Sequence, residues 1–557
     1  MVVFLHGNSG SQYRNSQKKK AHHTGADLIS PGPSFACITA GLFCLVLLAG
    51  CVTPHGSLPA AAIPSVNTHS GSTGAQNIYA IIPEFDRYAE QDFTRSGVPG
   101  MAVAIVQNDT VVYLRCFGVR NITTQEPVDP DTRFQLASIS KSFTTATIAS
   151  MVGDGELSWD DRVAAIDPSF RLSDPWVTEH VTFRDLLSHR TGLPEYTGDV
   201  LQNTFAYNRS EILERLRFVQ PTGAFRSSYA YMNADITAAA SAAALRAGMP
   251  WEDLVQERVF APAGMMNTSA RFADFARSPN HADTYPMDDQ KPVAGPLLND
   301  DVNSPAGGVS STLDDMVRYT RLQLDNGSID GKQVIAGPAL QETHKPQIIM
   351  RSSDTGMTAY GLGWEVVAED GRVRVEHGGD LSSGVSTYIT LYPTEKMGIV
   401  ILTNGFPGGA VLKRAVKKEW DDLYFTGSVQ QDWYATYDQM LKAAMKPGAS
   451  VLMPKVPLPE APASPQPSRS LAEYTGTYTQ QYYGDIRIEN NETGLLMYPG
   501  HSTSPIFAAP YNGDTFRETY SGTGVYFSAG SNGTIQTVRF DMFDLPEQNG
   551  TFTRIPS

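Results

Sequence analysis

The spacing of hydrophobic positions changes along the chain and separates a mixed region from an all-β region. From 81 to 96, apolar residues recur every three or four positions, which is typical of an amphipathic helix. Two apolar runs at 101–106 and 111–117 flank the turn residues Asn108 and Asp109, and this pattern predicts a β-hairpin. The region therefore begins with a helix followed by paired strands.

A helical stretch separates this hairpin from later strands. The helical spacing predicts helices at 209–218, 235–247, 251–260, 312–323 and 338–345. Strand patterns then return at 361–366, 373–376, 387–391 and 398–402, before a long amphipathic helix at 410–424. Strands at both ends of a helical stretch indicate one sheet that is built from distant segments and covered by helices, an α/β fold of the α+β type.

The C-terminal part has a different pattern. A helix predicted at 430–446 is followed by a proline-rich linker. From 471 onward, short alternating segments are separated by turns rich in Asn, Gly and Asp, which predicts a small β-sandwich or barrel. Its predicted strands lie at 474–479, 484–489, 494–498, 525–528 and 535–540. We therefore predict a main domain at 78–428, a helix and linker at 429–469, and a β domain at 470–557.

The N-terminus has the order of a targeting segment. Three lysines at 18–20 precede an uncharged apolar run at 35–51 that is short for a membrane span. The run ends in Leu48-Ala-Gly-Cys51, which resembles a lipobox and makes Cys51 the expected lipid anchor after cleavage of a signal peptide at 1–50. The alternative is an uncleaved signal anchor. In both cases we expect an exported protein, held at the membrane by a flexible tether at 51–77.

Composition excludes several classes of function. The 557 residues carry a formal net charge of −15, and the body contains no basic stripe, so a nucleic-acid partner is not expected. Three of the four cysteines (Cys37, Cys44 and Cys51) lie in the apolar run, and the fourth is Cys116. This set provides neither a disulfide framework nor a C-x-x-C metal site.

Ser138-Ile-Ser-Lys141 is the strongest candidate for chemistry. Residues three apart share a helix face, so the Lys141 amine can lie beside the Ser138 hydroxyl, which needs a neighbouring base to become a nucleophile. S-x-x-K is the nucleophile signature of serine β-lactamases and penicillin-binding proteins. The same pattern also occurs by chance at Ser16 and Lys19, so alone it is weak, and a helix serine beside a snorkelling lysine is the alternative.

Two further motifs follow at wide spacing. Tyr231-Met-Asn233 precedes a predicted helix, where a tyrosine can act as a base near an ammonium and an asparagine can hold a substrate amide. His377-Gly-Gly379 follows a predicted strand, where the glycines permit close approach of a ligand and the histidine can donate to an anion. The alternatives are packing and turn chemistry for the first motif and a surface hairpin for the second.

The ordered triplet of motifs resembles the class C β-lactamase-related serine hydrolases. That family includes penicillin-binding proteins, β-lactamases, D-amino-acid-specific peptidases and esterases. The resemblance covers roughly residues 80–425 and extends to flanking segments: Val98-Pro-Gly100, Phe117-Gly118, Asp185-Leu-Leu-Ser-His-Arg-Thr-Gly-Leu-Pro194, Gly264-Met265, Pro305-Ala-Gly-Gly308 and Tyr360-Gly-Leu-Gly-Trp364. The C-terminal part is similar to the small lipocalin-like barrel that often follows this domain. The implied fold is a β-lactamase/transpeptidase-like antiparallel sheet flanked by helices, with a helical subdomain.

The resemblance implies a mechanism as well as a fold. Ser138 would attack a carbonyl and form an acyl-enzyme, while Lys141 and Tyr231 share the general-base work. Asn233, His377, Gly379 and Asp380 would contact the substrate, with the backbone N–H groups of Ser138 and Asp380 forming the oxyanion hole. The implied mechanism needs no metal or organic cofactor.

One departure from the family affects the expected substrate. Members that process penicillins best carry Lys-Thr-Gly at the third motif, whereas this chain has His377-Gly-Gly379. A histidine is mostly neutral at pH 7, so the preference for a substrate carboxylate is expected to weaken in favour of other amides, peptides or esters.

Three other readings of the chain stay open at this point. The chain could capture a cell-envelope peptide or β-lactam without turnover, and the β domain could cap the site and set its specificity. Ser188-His189 resembles part of a triad, but no G-x-S-x-G elbow accompanies it.

Overall fold

The computed structural model describes residues 78–446 apart from 289, and residues 456–556 apart from 520 and 547. The predicted signal peptide, the lipobox with Cys51 and the tether lie outside the described residues. Within the described residues, no helix combines the length and apolarity needed to cross a membrane.

An eight-stranded antiparallel sheet forms the centre of the first part of the chain. Its strands, in spatial order, are Thr110–Gly118, Gly100–Gln107, Met397–Thr403, Val385–Tyr392, Arg372–Leu381, Glu365–Glu369, Gly356–Tyr360 and Ile348–Ser353. The predicted hairpin is confirmed, with positive φ angles of 48° and 64° at Asn108 and Asp109, as its tight turn requires. Because Gly100–Gln107 pairs with Met397–Thr403, segments that are far apart in the sequence lie side by side in one sheet.

Side chains alternate between the two faces of this sheet. On Gly100–Gln107, Val103 and Ile105 pack with Phe85 and Trp420, which come from the helices Ile78–Ser96 and Gly408–Thr426. Residues 102, 104 and 106 of the same strand belong to the core of the helical region on the other face. The strand was predicted from a continuous apolar run, and the run is explained by a helical layer on each side of the sheet.

The helical region and its neighbours contain most of the remaining described helices. In chain order they are Ser140–Gly153, Val163–Ile166, Pro175–His180, Phe183–Leu187, Asp199–Asn203, Arg209–Arg215, Asn233–Ala247, Trp251–Val255, Ala261–Ala263, Phe272–Arg277, Leu313–Leu324, Gly337–Thr343 and Trp433–Ala444. Short strand pairs brace this region: Phe134–Gln135 pairs with Ser310–Ser311, Ser328–Ile329 pairs with Lys332–Gln333, and Tyr285–Asp288 lies between Lys291–Pro292 and Gly405–Phe406.

A closed eight-stranded barrel follows, which confirms the predicted small β domain. Its strands are Gly476–Gln480, Gly484–Asn490, Leu495–Pro499, Ile506–Asn512, Thr515–Glu518, Gly524–Ala529, Ile535–Phe540 and Thr551–Arg554. Aromatic side chains, including Tyr478, Phe516 and Phe527, fill its interior.

The predicted strand at 361–366 is partly wrong. Residues 361–364 form a turn, and the strand begins at Glu365. Gly363 in this turn has a φ of 72°, and a Cβ there would lie 3.0 Å from the Lys141 carbonyl oxygen. The turn therefore packs directly on the helix that begins at Ser140, which a strand could not do.

Candidate active site

Ser138 lies in a tight turn that leads into a buried helix. Residues Ala137–Ile139 form a 3-10 turn, and the helix Ser140–Gly153 begins directly after it. The Ser140 hydroxyl donates to the Ala137 carbonyl at 2.6 Å and accepts the Val309 N–H at 3.0 Å, which fixes the turn. Ser138 is therefore held at the start of this helix, where the helix dipole favours negative charge.

Lys141 is fully buried, and three acceptors surround its ammonium group. The Nζ atom donates to Ser138 Oγ at 3.1 Å, to Asn233 Oδ1 at 2.7 Å and to the Ala306 carbonyl oxygen at 2.8 Å. An ammonium group has three donors, so these acceptors offset the cost of burying its charge. The sequence indicated Ala306 only as part of the flanking Pro305-Ala-Gly-Gly308 segment, without a role.

Tyr231 comes from the helical region and reaches the same serine. Its Oη atom lies 2.7 Å from Ser138 Oγ, although the two residues are 93 positions apart. Lys141 Nζ lies 4.6 Å from the centre of the Tyr231 ring. Ser138 Oγ is thus within hydrogen-bond distance of two groups that can exchange a proton with it.

Asn233 is the first residue of the helix Asn233–Ala247, and its amide is held from both sides. The Oδ1 atom accepts from Lys141, and Nδ2 donates to both carboxylate oxygens of Asp199, at 3.0 and 3.1 Å. Burial raises the pKa of Asp199 to about 6, while the Asn233 hydrogen bond and the Lys141 charge act in the opposite direction. Asp199 was not among the predicted site residues, because no sequence motif marks it.

His377 is buried rather than exposed on a hairpin. Nδ1 donates to the Gly378 carbonyl at 2.8 Å, so Nε2 accepts from the Tyr360 hydroxyl at 2.9 Å. Burial and the nearby Lys141 charge lower the pKa of His377 to about 3. The third motif therefore presents a neutral imidazole, and the alternative of a surface turn is wrong.

Gly379 and Asp380 continue the same strand with opposite orientations. A Cβ on Gly379 would lie 2.5 Å from Thr387 Oγ1 and closer still to the Leu136 carbonyl oxygen, so this strand touches the segment just before the nucleophile turn. The Asp380 carboxylate accepts from Lys413 Nζ and from Ser386 Oγ, both at 2.7 Å. Its side chain thus binds the helix Gly408–Thr426 and the neighbouring strand. The predicted role in the oxyanion hole concerns its backbone N–H.

A small cavity of about 20 Å³ opens beside Ser138, and two carboxyl groups form part of its wall. Asp199 and Asp300 line it together with Ser138 and Asn233. Burial raises the pKa of Asp300 to about 7, and the neighbouring Asp199 charge adds to this increase. Among the described residues, no group of His, Cys, Asp and Glu side chains is arranged to hold a metal ion.

His189, the candidate for an alternative triad, lies behind Tyr231. Its Nδ1 atom accepts the Met232 N–H at 3.2 Å, and its ring centre is 4.9 Å from that of Tyr231. Burial and the Lys141 charge lower the pKa of His189 well below its usual value. The Ser188 hydroxyl donates to the Arg184 carbonyl instead of to this imidazole. This geometry is that of a packed core histidine.

Both parts of the chain match known protein families. Residues 85–420 match the family described as Beta-lactamase, and residues 460–553 match a domain of unknown function, DUF3471. The protein named "Unguisins hydrolase ungD'" of Aspergillus campestris is 26% identical over 446 residues, which covers 76% of this chain and 80% of that protein. Penicillin-binding protein 4 of Amycolatopsis lactamdurans is 27% identical over 320 residues, covering 56% of this chain and 82% of that protein.

A solved structure shows a similar fold. The octameric penicillin-binding protein homologue from Pyrococcus abyssi matches with a TM-score of 0.52 and 18% identity, covering 85% of this chain and all of that chain. At this identity the match shows the fold alone. Because the family match spans more than half of the sequence and agrees with the fold, the chain belongs to the Beta-lactamase family of serine hydrolases and penicillin-binding proteins.

Proposed function

We propose that this chain hydrolyses an amide, peptide or ester substrate through an acyl-enzyme on Ser138. The observation that carries the proposal is the position of Ser138 Oγ, 3.1 Å from Lys141 Nζ and 2.7 Å from Tyr231 Oη. A serine becomes a nucleophile when a neighbouring group accepts its proton, and both neighbours are within the required distance.

The contacts favour Tyr231 as the group that carries the proton. With Tyr231 in its phenolate form, Ser138 Oγ attacks the carbonyl carbon while its proton passes to the Tyr231 oxygen. The Lys141 charge, 4.6 Å from the ring centre, stabilises the phenolate before the transfer. Tyr231 then protonates the leaving group. In the second half of the reaction it accepts a proton from the attacking water and gives it to Ser138 Oγ as the acyl–oxygen bond breaks, which restores the phenolate and the free serine.

The negative charge that develops on the substrate's carbonyl oxygen during the reaction needs separate hydrogen-bond donors. Ser138 N–H lies at the start of a helix, and the Asp380 N–H belongs to the strand that touches this turn through Gly379. One such donor typically stabilises a transition state by roughly 3–4 kcal/mol. These two N–H groups form the oxyanion hole in our proposal.

The electrostatics of the site favour substrates without a carboxylate. His377 is neutral because burial and Lys141 lower its pKa to about 3, so the third motif supplies no cation. Asp199 and Asp300 add partial negative charge to the walls of the cavity beside Ser138. We expect neutral or cationic esters and amides to react faster than β-lactams, which carry a carboxylate.

Labelling with a fluorophosphonate tests the nucleophile. The unchanged protein should be labelled, and Ser138→Ala should abolish the labelling because it removes the attacking oxygen. Ser150→Ala, a change at a buried serine near the end of the same helix, is the control and should leave labelling intact. Labelling that persists in Ser138→Ala would overturn the proposal.

A turnover panel tests the substrate class. It should compare a chromogenic cephalosporin, a short-chain p-nitrophenyl ester, and D- and L-amino-acid peptides. We expect the ester or a peptide to exceed the cephalosporin in kcat/KM, and a faster cephalosporin would contradict the electrostatic argument. An acyl-enzyme mass shift that persists for hours with every substrate would favour the alternative of a binding protein without turnover.

We also propose that the protein is exported and lipid-anchored through Cys51. The support is the order of lysines, apolar run and Leu48-Ala-Gly-Cys51 in the sequence. Fractionation of a bacterial host should find the protein in the membrane, and Cys51→Ala should prevent incorporation of labelled palmitate. Equal incorporation in both proteins would refute the anchor.

A further inference from the structure

The barrel contacts the catalytic part at a loop that leads to the active site. The Gly198 N–H donates to the Tyr482 hydroxyl at 2.8 Å. Tyr482 lies between the barrel strands Gly476–Gln480 and Gly484–Asn490, and its side chain is fully buried. A barrel side chain thus provides the acceptor for a buried backbone N–H of the other domain, which would be costly to leave unpaired.

The loop at 196–199 holds both residues of the second motif. The Tyr196 N–H donates to the Tyr231 carbonyl oxygen at 2.8 Å, and the Asp199 carboxylate accepts both hydrogen bonds from the Asn233 amide. Gly198 has a φ of 97°, and a Cβ there would lie 3.4 Å from Ala234, the neighbour of Asn233. The position of this loop therefore determines where Tyr231 and Asn233 lie.

The barrel side of the contact is firmly held. Arg215 donates to the carbonyl oxygens of Gln481 and Tyr482, both at 3.2 Å, and the Tyr207 hydroxyl donates to the Tyr483 carbonyl at 3.0 Å. The Phe205 and Tyr483 rings stack with their centres 5.6 Å apart. Apolar side chains of the barrel and of the helical region form one continuous buried cluster across this contact. The barrel is packed against the catalytic part rather than merely tethered to it.

We propose that Tyr482 is a positioning residue for the active site, so that full catalytic activity requires the barrel. Its hydroxyl holds Gly198, the adjacent Asp199 holds the Asn233 amide, and Asn233 Oδ1 holds Lys141 beside Ser138. Small displacements of catalytic groups lower rates strongly, so we expect the loss of one hydrogen bond in this series to reduce turnover. This inference rests on the proposed hydrolase function.

Two matched substitutions test it. Tyr482→Phe keeps the ring and removes the hydroxyl that accepts from Gly198. Tyr483→Phe is the control, because its hydroxyl donates to the Phe543 carbonyl at 2.7 Å inside the barrel. We expect Tyr482→Phe to lower kcat and the fluorophosphonate labelling rate three- to tenfold with KM little changed, and to shift the pH–rate profile. Tyr483→Phe should leave the pH–rate profile and kcat unchanged even if it lowers the Tm.

Hydrogen exchange provides a readout that does not depend on turnover. Peptides covering 196–203 should exchange faster in Tyr482→Phe than in the unchanged protein and in Tyr483→Phe. Equal kcat in Tyr482→Phe and the unchanged protein, or equal losses in both variants, would overturn the inference. An unchanged protein that is neither labelled nor active would instead refute the proposed function, while the exchange measurement would still decide whether Tyr482 holds the loop.

Discussion

The Asp199 carboxylate accepts two hydrogen bonds from the Asn233 amide, at 3.0 and 3.1 Å, and thereby fixes which end of that amide faces Lys141. With Nδ2 held by Asp199, Oδ1 points to the Lys141 ammonium at 2.7 Å. The reversed amide would place N–H groups against a positive charge. Asp199 therefore acts on the nucleophile through two intermediate side chains, those of Asn233 and Lys141.

We expect Asp199→Ala to lower kcat by about 10–100-fold, because the Asn233 amide loses the acceptor that orients it and Lys141 is no longer held in place. Asp199→Asn keeps one acceptor oxygen and should lose less. Single-turnover acylation rates for both variants measure the effect. Equal rates for Asp199→Ala and the unchanged protein would show that Asn233 is oriented by other groups.

The two glycines of the third motif should respond differently to alanine. A Cβ on Gly379 would lie 2.5 Å from Thr387 Oγ1 and 3.0 Å from Ala137 Cβ, next to the nucleophile turn. A Cβ on Gly378 would meet the Tyr388 ring at 3.3 Å, a contact that a small shift can relieve. We expect Gly379→Ala to lower kcat/KM at least tenfold, and Gly378→Ala to lower it less. The reverse order would contradict the structure.

His377 should make stability depend on pH below neutrality. Its pKa is lowered to about 3 in the folded protein from an ordinary value of 6.5, because it is buried near Lys141. The unfolded chain binds a proton below pH 6.5 that the folded chain does not, so stability falls as the pH drops from 6.5 towards 3. At pH 5 this group should account for a loss of about 2 kcal/mol.

Urea unfolding of His377→Gln and the unchanged protein at pH 7 and pH 5 isolates this contribution, since the other titrating groups are common to both. The substitution should reduce the loss of unfolding free energy between the two pH values. An identical loss in the two proteins would mean that folding does not lower the pKa of His377.

A buried pair of carboxyl groups should have the opposite pH dependence. Burial and the neighbouring Asp92 raise the pKa of Glu419 well above its usual value. The folded protein then keeps a proton that the unfolded chain releases above about pH 4.5, the ordinary value for glutamate, so stability decreases as the pH rises.

Glu419→Gln should therefore raise the Tm at pH 8.5 more than at pH 5, because an amide is neutral at both pH values. Glu492→Gln, a change of the same type at an exposed position, is the control and should move the Tm little at either pH. If Glu419→Gln lowers the Tm at pH 8.5, the carboxyl group is ionised in the folded state.

The order of secondary structure was predictable where periodicity is strong. The helix and hairpin that open the described chain, the alanine-rich helix Asn233–Ala247 and the helix Gly408–Thr426 follow from apolar spacing. The strand Ile348–Ser353 lies at the edge of the sheet and Gly356–Tyr360 lies next to it. Both were missed because their polar and partly exposed residues give no clear alternation. Three barrel strands were also missed: Ile506–Asn512, Thr515–Glu518 and Thr551–Arg554. The last two have only four residues each, which is too short for a clear alternating pattern.

The site was predictable to the extent that motifs mark it. Ser138, Lys141, Tyr231 and Asn233 come together as their order in the chain suggested. Asp199 and Tyr482 could not be found in this way, because each acts through a hydrogen bond to a distant segment and neither belongs to a short pattern. A mostly neutral His377 was expected from its residue type, but the lowering of its pKa to about 3 depends on burial and on Lys141, which only the tertiary structure shows.

The pairing of Gly100–Gln107 with Met397–Thr403 has a consequence for the order of events during synthesis. The strand Gly100–Gln107 can find its second neighbour only after the ribosome has passed residue 403, and the strand with His377 reaches its place in the same late period. Until then the segment with Ser138 has no sheet to pack against. If Tyr482 acts as proposed, the protein becomes catalytically active later still, when the barrel has formed. A nascent chain would thus remain inert until almost its full length has been made.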